Sequence, residues 1–252
     1  MKQIKKRLTK LIQGELINLK NQKIKKITLE IKHIHLINWI THQKNDQRFF
    51  YSNHDRSEEV ACIGYCEYYQ IFSKENEMET IRKIQSKVKS IQNSRYYLSL
   101  AFNPNQSADK LWQPFNQGLA FLPALELKKT KVKTILSIYL KNDPTYLSQL
   151  QQIIDHLKED EQNNEINPIQ LELKNHQPGQ TKWTNQIENI LQKIDEKSLE
   201  KVVLSRKSTF HSQTTLCPFK IMQHLYQKGI NTYHFVFQHS KHWAFIGGTP
   251  EN

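Results

Sequence analysis

Three cysteines in 252 residues, with no framework spacing, exclude a disulfide-stapled scaffold and fit reduced thiols. Cys62 and Cys66 lie in an alternating, strand-like run. A four-residue spacing there puts both on one face about 13 Å apart, too far to share a metal ion. Eleven histidines are scattered, as in IKHIHL and HSKH, and no zinc site is expected. Only seven glycines and eight prolines exclude a collagen-like or low-complexity chain. No run approaches the roughly eighteen apolar residues that span a bilayer. The opening MKQIKKRLTKLIQ lacks the apolar centre of a signal peptide. The expectation is a cytoplasmic protein with no membrane partner.

What is present suits a globular protein. Hydrophobic residues make up 37% of the chain, with ten Tyr, eleven Phe and four Trp to fill a core. The net charge of +12 is concentrated at the start: residues 1–30 hold nine Lys/Arg against Glu15 and Glu30, or +7. Those lysines alternate with Ile4, Leu8, Leu11 and Ile12 at helical spacing, so they read as the solvated face of a first helix. A nucleic-acid partner is not expected.

Periodicity predicts a helix over 2–19 and an alternating strand in KITLEIKHIHL, and leaves INWITHQ ambiguous. Strands are predicted for RFFYS, EEVACIGYCEYYQI, RYYLSLAF, GLAFLPALELKK and KVKTILSIYLK, and helices for ETIRKIQSKVKSIQ and PTYLSQLQQIIDHLKED. Charged, amide-rich stretches around a short strand, IQLEL, mark residues 161–180 as linker-like, between a region 1–160 and a region 181–252. Beyond them come a helix in WTNQIENILQKI, a strand in LEKVVLSRKSTF, a helix from Pro218 stopped at Gly229, and a hairpin in YHFVFQHSKHWAFIG. The fold class is α+β, antiparallel sheets flanked by helices.

Two side chains in the last region carry chemistry. Lys201 opens KVVLSR, where strand alternation puts Lys201, Val203 and Ser205 on one face. Burial there would disfavour its charge and move it toward a general base; a strand-end lysine reaching solvent is the plainer alternative. Glu251 follows GGTP, where Gly247 and Gly248 permit a turn and Pro250 fixes the backbone. A carboxyl buried in a pocket there would serve as a general acid, and an ordinary turn glutamate is the alternative.

KVVLSR followed by FIGGTPE resembles the isochorismate synthases of the chorismate-utilising enzymes. RFFYSNHDRSEEVACIGYC, LWQPFNQGLAFLPALEL and WTNQIENILQKI extend the likeness to the menaquinone-type members. The resemblance implies an incomplete α/β sandwich, with 181–252 the beginning of a chorismate-binding catalytic domain. It implies that Lys201 activates the water attacking C2 of chorismate and that Glu251 protonates the departing C4 hydroxyl. It implies that Gly247, Gly248 and Thr249 present the glutamate and touch substrate, and that Arg206 forms a structural ion pair. Salicylate synthases keep the lysine and remain an alternative, as do a siderophore-pathway isochorismate synthase and a non-catalytic remnant. The family's chains continue well past this motif and hold Mg²⁺ through acidic residues there. The expectations are therefore a truncated chain inactive by itself, Mg²⁺ ligands outside it, and a complementary chain as a conceivable partner beside chorismate.

Overall fold

In the computed structural model, which describes residues 2–19, 24–103, 110–159, 169–229 and 231–250, the apolar stripe of the first segment buries Leu8 and Ile12. They sit on helix α1 (Lys2–Asn18), while Lys6, Arg7 and Lys10 face solvent, as the charge pattern predicted. Strand β1 (Ile24–Ile31) ends five residues before the alternating run does. Leu36 instead opens α2 (Leu36–His42), and the ambiguous INWITHQ is helical because Leu36, Ile37, Trp39 and Ile40 bury one face.

The next elements follow the sequence closely: β2 (Arg48–Ser52), β3 (Glu58–Ile71), α3 (Lys74–Ser90), β4 (Tyr97–Leu100), β5 (Gly118–Thr130), β6 (Thr134–Lys141) and α4 (Pro144–His156). Caps set the helix starts. Ser73 accepts from the Asn76 N–H and Asp143 from the Tyr146 N–H, with Pro144 in the first turn of α4. Then come β7 (Glu172–Gln177), α5 (Gln180–Asp195), β8 (Lys207–His211), α6 (Pro218–Lys228), β9 (Thr232–Ser240) and β10 (Trp243–Pro250). Gly229 stops α6 at φ −83, so no left-handed turn requires it. A Cβ there would stand 2.7 Å from the His234 ring, and close packing is what demands glycine.

Eight strands form one antiparallel sheet in the order β1-β6-β5-β3-β2-β9-β10, with β4 also paired to β5. The second sheet is β7 against β8. By compactness the chain divides into Met1–Glu165 with Cys217–Asn252, and Ile166–Leu216. The segment from Cys217 onward therefore returns to the first unit, because β9 pairs with β2 through Arg48↔Gln238 to Ser52↔His234. Arg48 fastens that junction: it is buried, donates to the carbonyls of Ile40 and Gln43, and donates to Gln238 Oε1 at 2.7 Å.

The large sheet has two unlike faces. One is aliphatic and covered by helices, with Leu8, Trp39, Leu150, Ile154, Phe219 and Met222 meeting Ile63, Leu125 and Ile138. The other is aromatic; its cluster is drawn from strands and the short turn Gln113–Phe115, with Phe121, Phe237 and Phe115 at its centre. Cys62 and Cys66, expected on one face, lie in different clusters, Cys62 with the aromatics and Cys66 with the aliphatics. The pairing of β3 with β5 slips between Tyr65 and Glu67, beside Gly64 at φ +63, and this bulge reverses the alternation. Among the described residues, no helix is long and apolar enough to cross a membrane.

Candidate active site

The segment expected as a catalytic strand is not one. Residues 201–206 form no helix or strand, and β8 begins only at Lys207. A strand exists by pairing with a neighbour: β7 meets β8 from Gln177↔Lys207 to Glu172↔His211 and no further. Lys201 is exposed, as are Val203 at 85% and Val202 at 38%, so the expected burial is not found. Arg206, expected in an ion pair, donates Nε–H to the Pro178 carbonyl at 3.1 Å and lies over the Trp183 ring. Those contacts tie the end of KVVLSR to the first turn of α5.

Gly247, Gly248 and Thr249 were expected in a turn and lie instead in β10, opposite Phe235, His234 and Tyr233 of β9. Gly247 has a packing reason. A Cβ there would fall 2.0 Å from the Phe235 ring, so the absent side chain makes room for that ring. Gly248 is less constrained, with Thr232 at 3.4 Å. The structure thus brings these three together on one strand, and puts Lys201 in the other compact unit. Glu251, and with it the pairing expected between its carboxyl and the Lys201 amine, lies outside the described residues.

Sequence reading missed the aromatic cleft beside this strand. A cavity of about 410 Å³ is walled by Phe49, Phe121, Phe235, Phe237 and Phe245, with Arg95, Tyr51 and Ser99 also lining it. The Arg95 guanidinium is engaged by Glu58, which Lys128 also holds at 2.7 Å. Burial raises the Glu58 carboxyl's proton affinity, but the bonds to Arg95 and Lys128 prevail and keep its pKa below the usual carboxylate range. The cleft offers ring area more than charge. The alternation of FFY with HFVF was visible in the sequence, but nothing in it showed that β2 and β9 are neighbours. Among the described residues, no three His, Cys, Asp or Glu side chains form a group that would hold a metal ion.

A profile of the family described as chorismate binding enzyme matches residues 9–252. The chain belongs to this family. Its relatives include the isochorismate synthase MenF of Haemophilus influenzae, 27% identical over 143 residues, or 54% of this chain and 32% of that protein. MenF of Escherichia coli is 22% identical over 217 residues, covering 85% of this chain and 46% of the relative. The chloroplastic isochorismate synthase 2 of Arabidopsis thaliana is 27% identical over 170 residues, 62% of this chain and 30% of that one. The chain therefore spans less than half the length of these relatives. The solved structure of the menaquinone-specific isochorismate synthase of E. coli superposes with a TM-score of 0.66 at 19% identity, over 97% of this chain and 55% of that one. The α+β architecture is thus shared with a family member of known structure.

Proposed function

We propose that this chain carries the two proton-transfer residues of an isochorismate synthase acting on chorismate. Lys201 activates the water that attacks C2, and Glu251 protonates the hydroxyl that leaves from C4. One water enters and one departs, so the product is an isomer. Water is a poor nucleophile and hydroxyl a poor leaving group near neutral pH, and a positioned base and acid each contribute about 10²–10⁴-fold. Gly247, Gly248 and Thr249 hold the backbone that leads into Glu251. The observation that carries this reading is the family match over residues 9–252, which includes both KVVLSR and GGTPE.

Chorismate bears two carboxylates, and removing them from water needs cationic or metal partners. Mg²⁺ is expected with the family, yet the described residues form no group of three ligands, and no step is assigned to it. The chain spans 46% of the E. coli relative, so we assign the rest of the substrate clamp to sequence outside this chain, whether covalently continuous or on a complementary chain. Menaquinone synthesis in the cytoplasm is the setting we infer.

The test is chromatographic analysis of chorismate and Mg²⁺ incubated with the purified chain. Turnover is expected to be negligible for the chain alone and restored by co-expression with the C-terminal half of the E. coli enzyme. In that pair, Lys201→Ala and Glu251→Gln each lower isochorismate formation by about 10²-fold or more. Salicylate as the product, or variants as fast as the parent, would sink the assignment. Ordinary turnover by the chain alone would defeat the need for further sequence.

A further inference from the structure

The helix-covered side of the large sheet contains an open cavity of about 450 Å³ between the loop after α2, the bulge of β3 and helix α4. Its floor exists because of Gly64. At φ +63 the glycine has no side chain to interpose, and a Cβ there would stand 2.7 Å from Ile153 Cδ1 of α4. The backbone of Gly64 is fixed by its N–H to the Gln47 carbonyl at 3.0 Å. Ile63, Ala124 and Leu157 complete an apolar base.

The walls are polar and of one character. Helix α4 lines the cavity with Gln149, Gln152 and His156, spaced three and four residues apart and so on one helical face. The opposite loop adds Lys44 and Gln47. Among the described residues, no aspartate or glutamate lines the space. The side chains of Lys44, Gln47, Gln149 and Gln152 make no hydrogen bond to other described residues. Nearby Gln43 differs: its amide bonds the Trp39 carbonyl at 2.7 Å and accepts from the Lys158 N–H at 2.9 Å. His156 Nδ1 lies 2.7 Å from the Gln152 carbonyl oxygen, which orients the ring.

A cation and several amides over a hydrocarbon floor, with no carboxylate among the described lining residues, select an acid carrying an apolar body. We propose that this cavity binds a small organic monocarboxylate, its carboxylate at Lys44 and the amides of α4 and its ring or alkyl part on Ile63, Ala124 and Ile153. A volume of this size is ordinary for a small-molecule site. Inorganic phosphate satisfies the cation but leaves the floor unused, which separates charge attraction from recognition.

The experiment is a titration of the isotopically labelled full chain with benzoate, followed by amide NMR. Saturable shifts at the Gly64 and Ile153 amides and the Gln152 side chain are expected, with phosphate producing none that saturate there. Lys44→Gln is expected to weaken binding about ten-fold or more, since a charge-assisted hydrogen bond is lost, and Gln152→Ala by a smaller factor. Both positions are exposed, so both variants retain the fold. No saturation, equal responses to phosphate and benzoate, or unchanged affinity in Lys44→Gln would each overturn the proposal. It is independent of the catalytic reading, because the readout is binding to residues that reading does not use.

Discussion

The two compact units are built from equally regular sequence and end in opposite physical situations. In the first, Trp39, Phe50, Val60, Ile138 and Val236 are fully buried. In the second, α5 buries no residue and every residue of β8 is exposed. Yet α5 carries an apolar stripe at helical spacing, Trp183, Ile187, Ile190 and Ile194, as orderly as any in the first unit. Periodicity records which face a segment is prepared to bury. Whether that face is covered depends on chain elsewhere, and most of the stability of a helix comes from that cover.

The largest expected effect tests this contrast directly. Trp39→Ala should cost about 3–5 kcal/mol in denaturant unfolding, the range for emptying a large aromatic site. Leu191→Ala, at a position 55% exposed, should stay within about 0.5 kcal/mol. Comparable losses would mean the second unit has a core that its exposure conceals. Next comes Gly247→Ala, which forces the Phe235 ring to move and should cost about 1–3 kcal/mol by overpacking. Gly248→Ala should cost less, and Phe235→Leu should recover part of the Gly247→Ala loss in a double-mutant cycle.

The two faces of β9 allow a finer comparison through pH. His234 lies on the helix side, where burial and then Arg56 hold its pKa below 6.5. His239 lies among Tyr65, Tyr68 and Phe237, and burial lowers it too. Both groups bind protons more weakly folded than unfolded. Their contribution is therefore complete above about pH 6.5 and is lost as pH falls through the folded-state values. Thermal unfolding between pH 7.5 and 5 should show this decline, and His239→Gln should flatten it. The smallest effect concerns thiols. Burial raises Cys62 well above the ordinary range and pushes Cys66 up to about 12. Iodoacetamide on the native chain should label half-buried Cys217 and spare the other two; early labelling of Cys66 would show that β3 opens at its bulge.

Much of the fold was legible because its signals are local. The limits of β3 are those of EEVACIGYCEYYQI, and Pro144 and Pro218 mark the first turns of α4 and α6. What escaped is non-local. KVVLSR has strand composition, but β8 is set by its pairing with β7 and begins only at Lys207, six residues downstream of Lys201. GGTP has turn composition, but pairing with β9 holds it extended. One bulge separates Cys62 from Cys66, and alternation cannot foresee the residue at which a register slips. The candidate site residues were named from their motifs rather than from any pocket the pattern implied.

The clamp on Arg48 has a consequence for biogenesis. Its acceptor Gln238 lies 190 residues away and leaves a ribosome long after Arg48 does. Until β9 emerges, β2 is a bare edge and the Arg48 guanidinium has only the carbonyls of Ile40, Thr41 and Gln43 to bond. The nascent chain must hold this sheet edge open while those 190 residues are made, which is when chaperones have the most to shield.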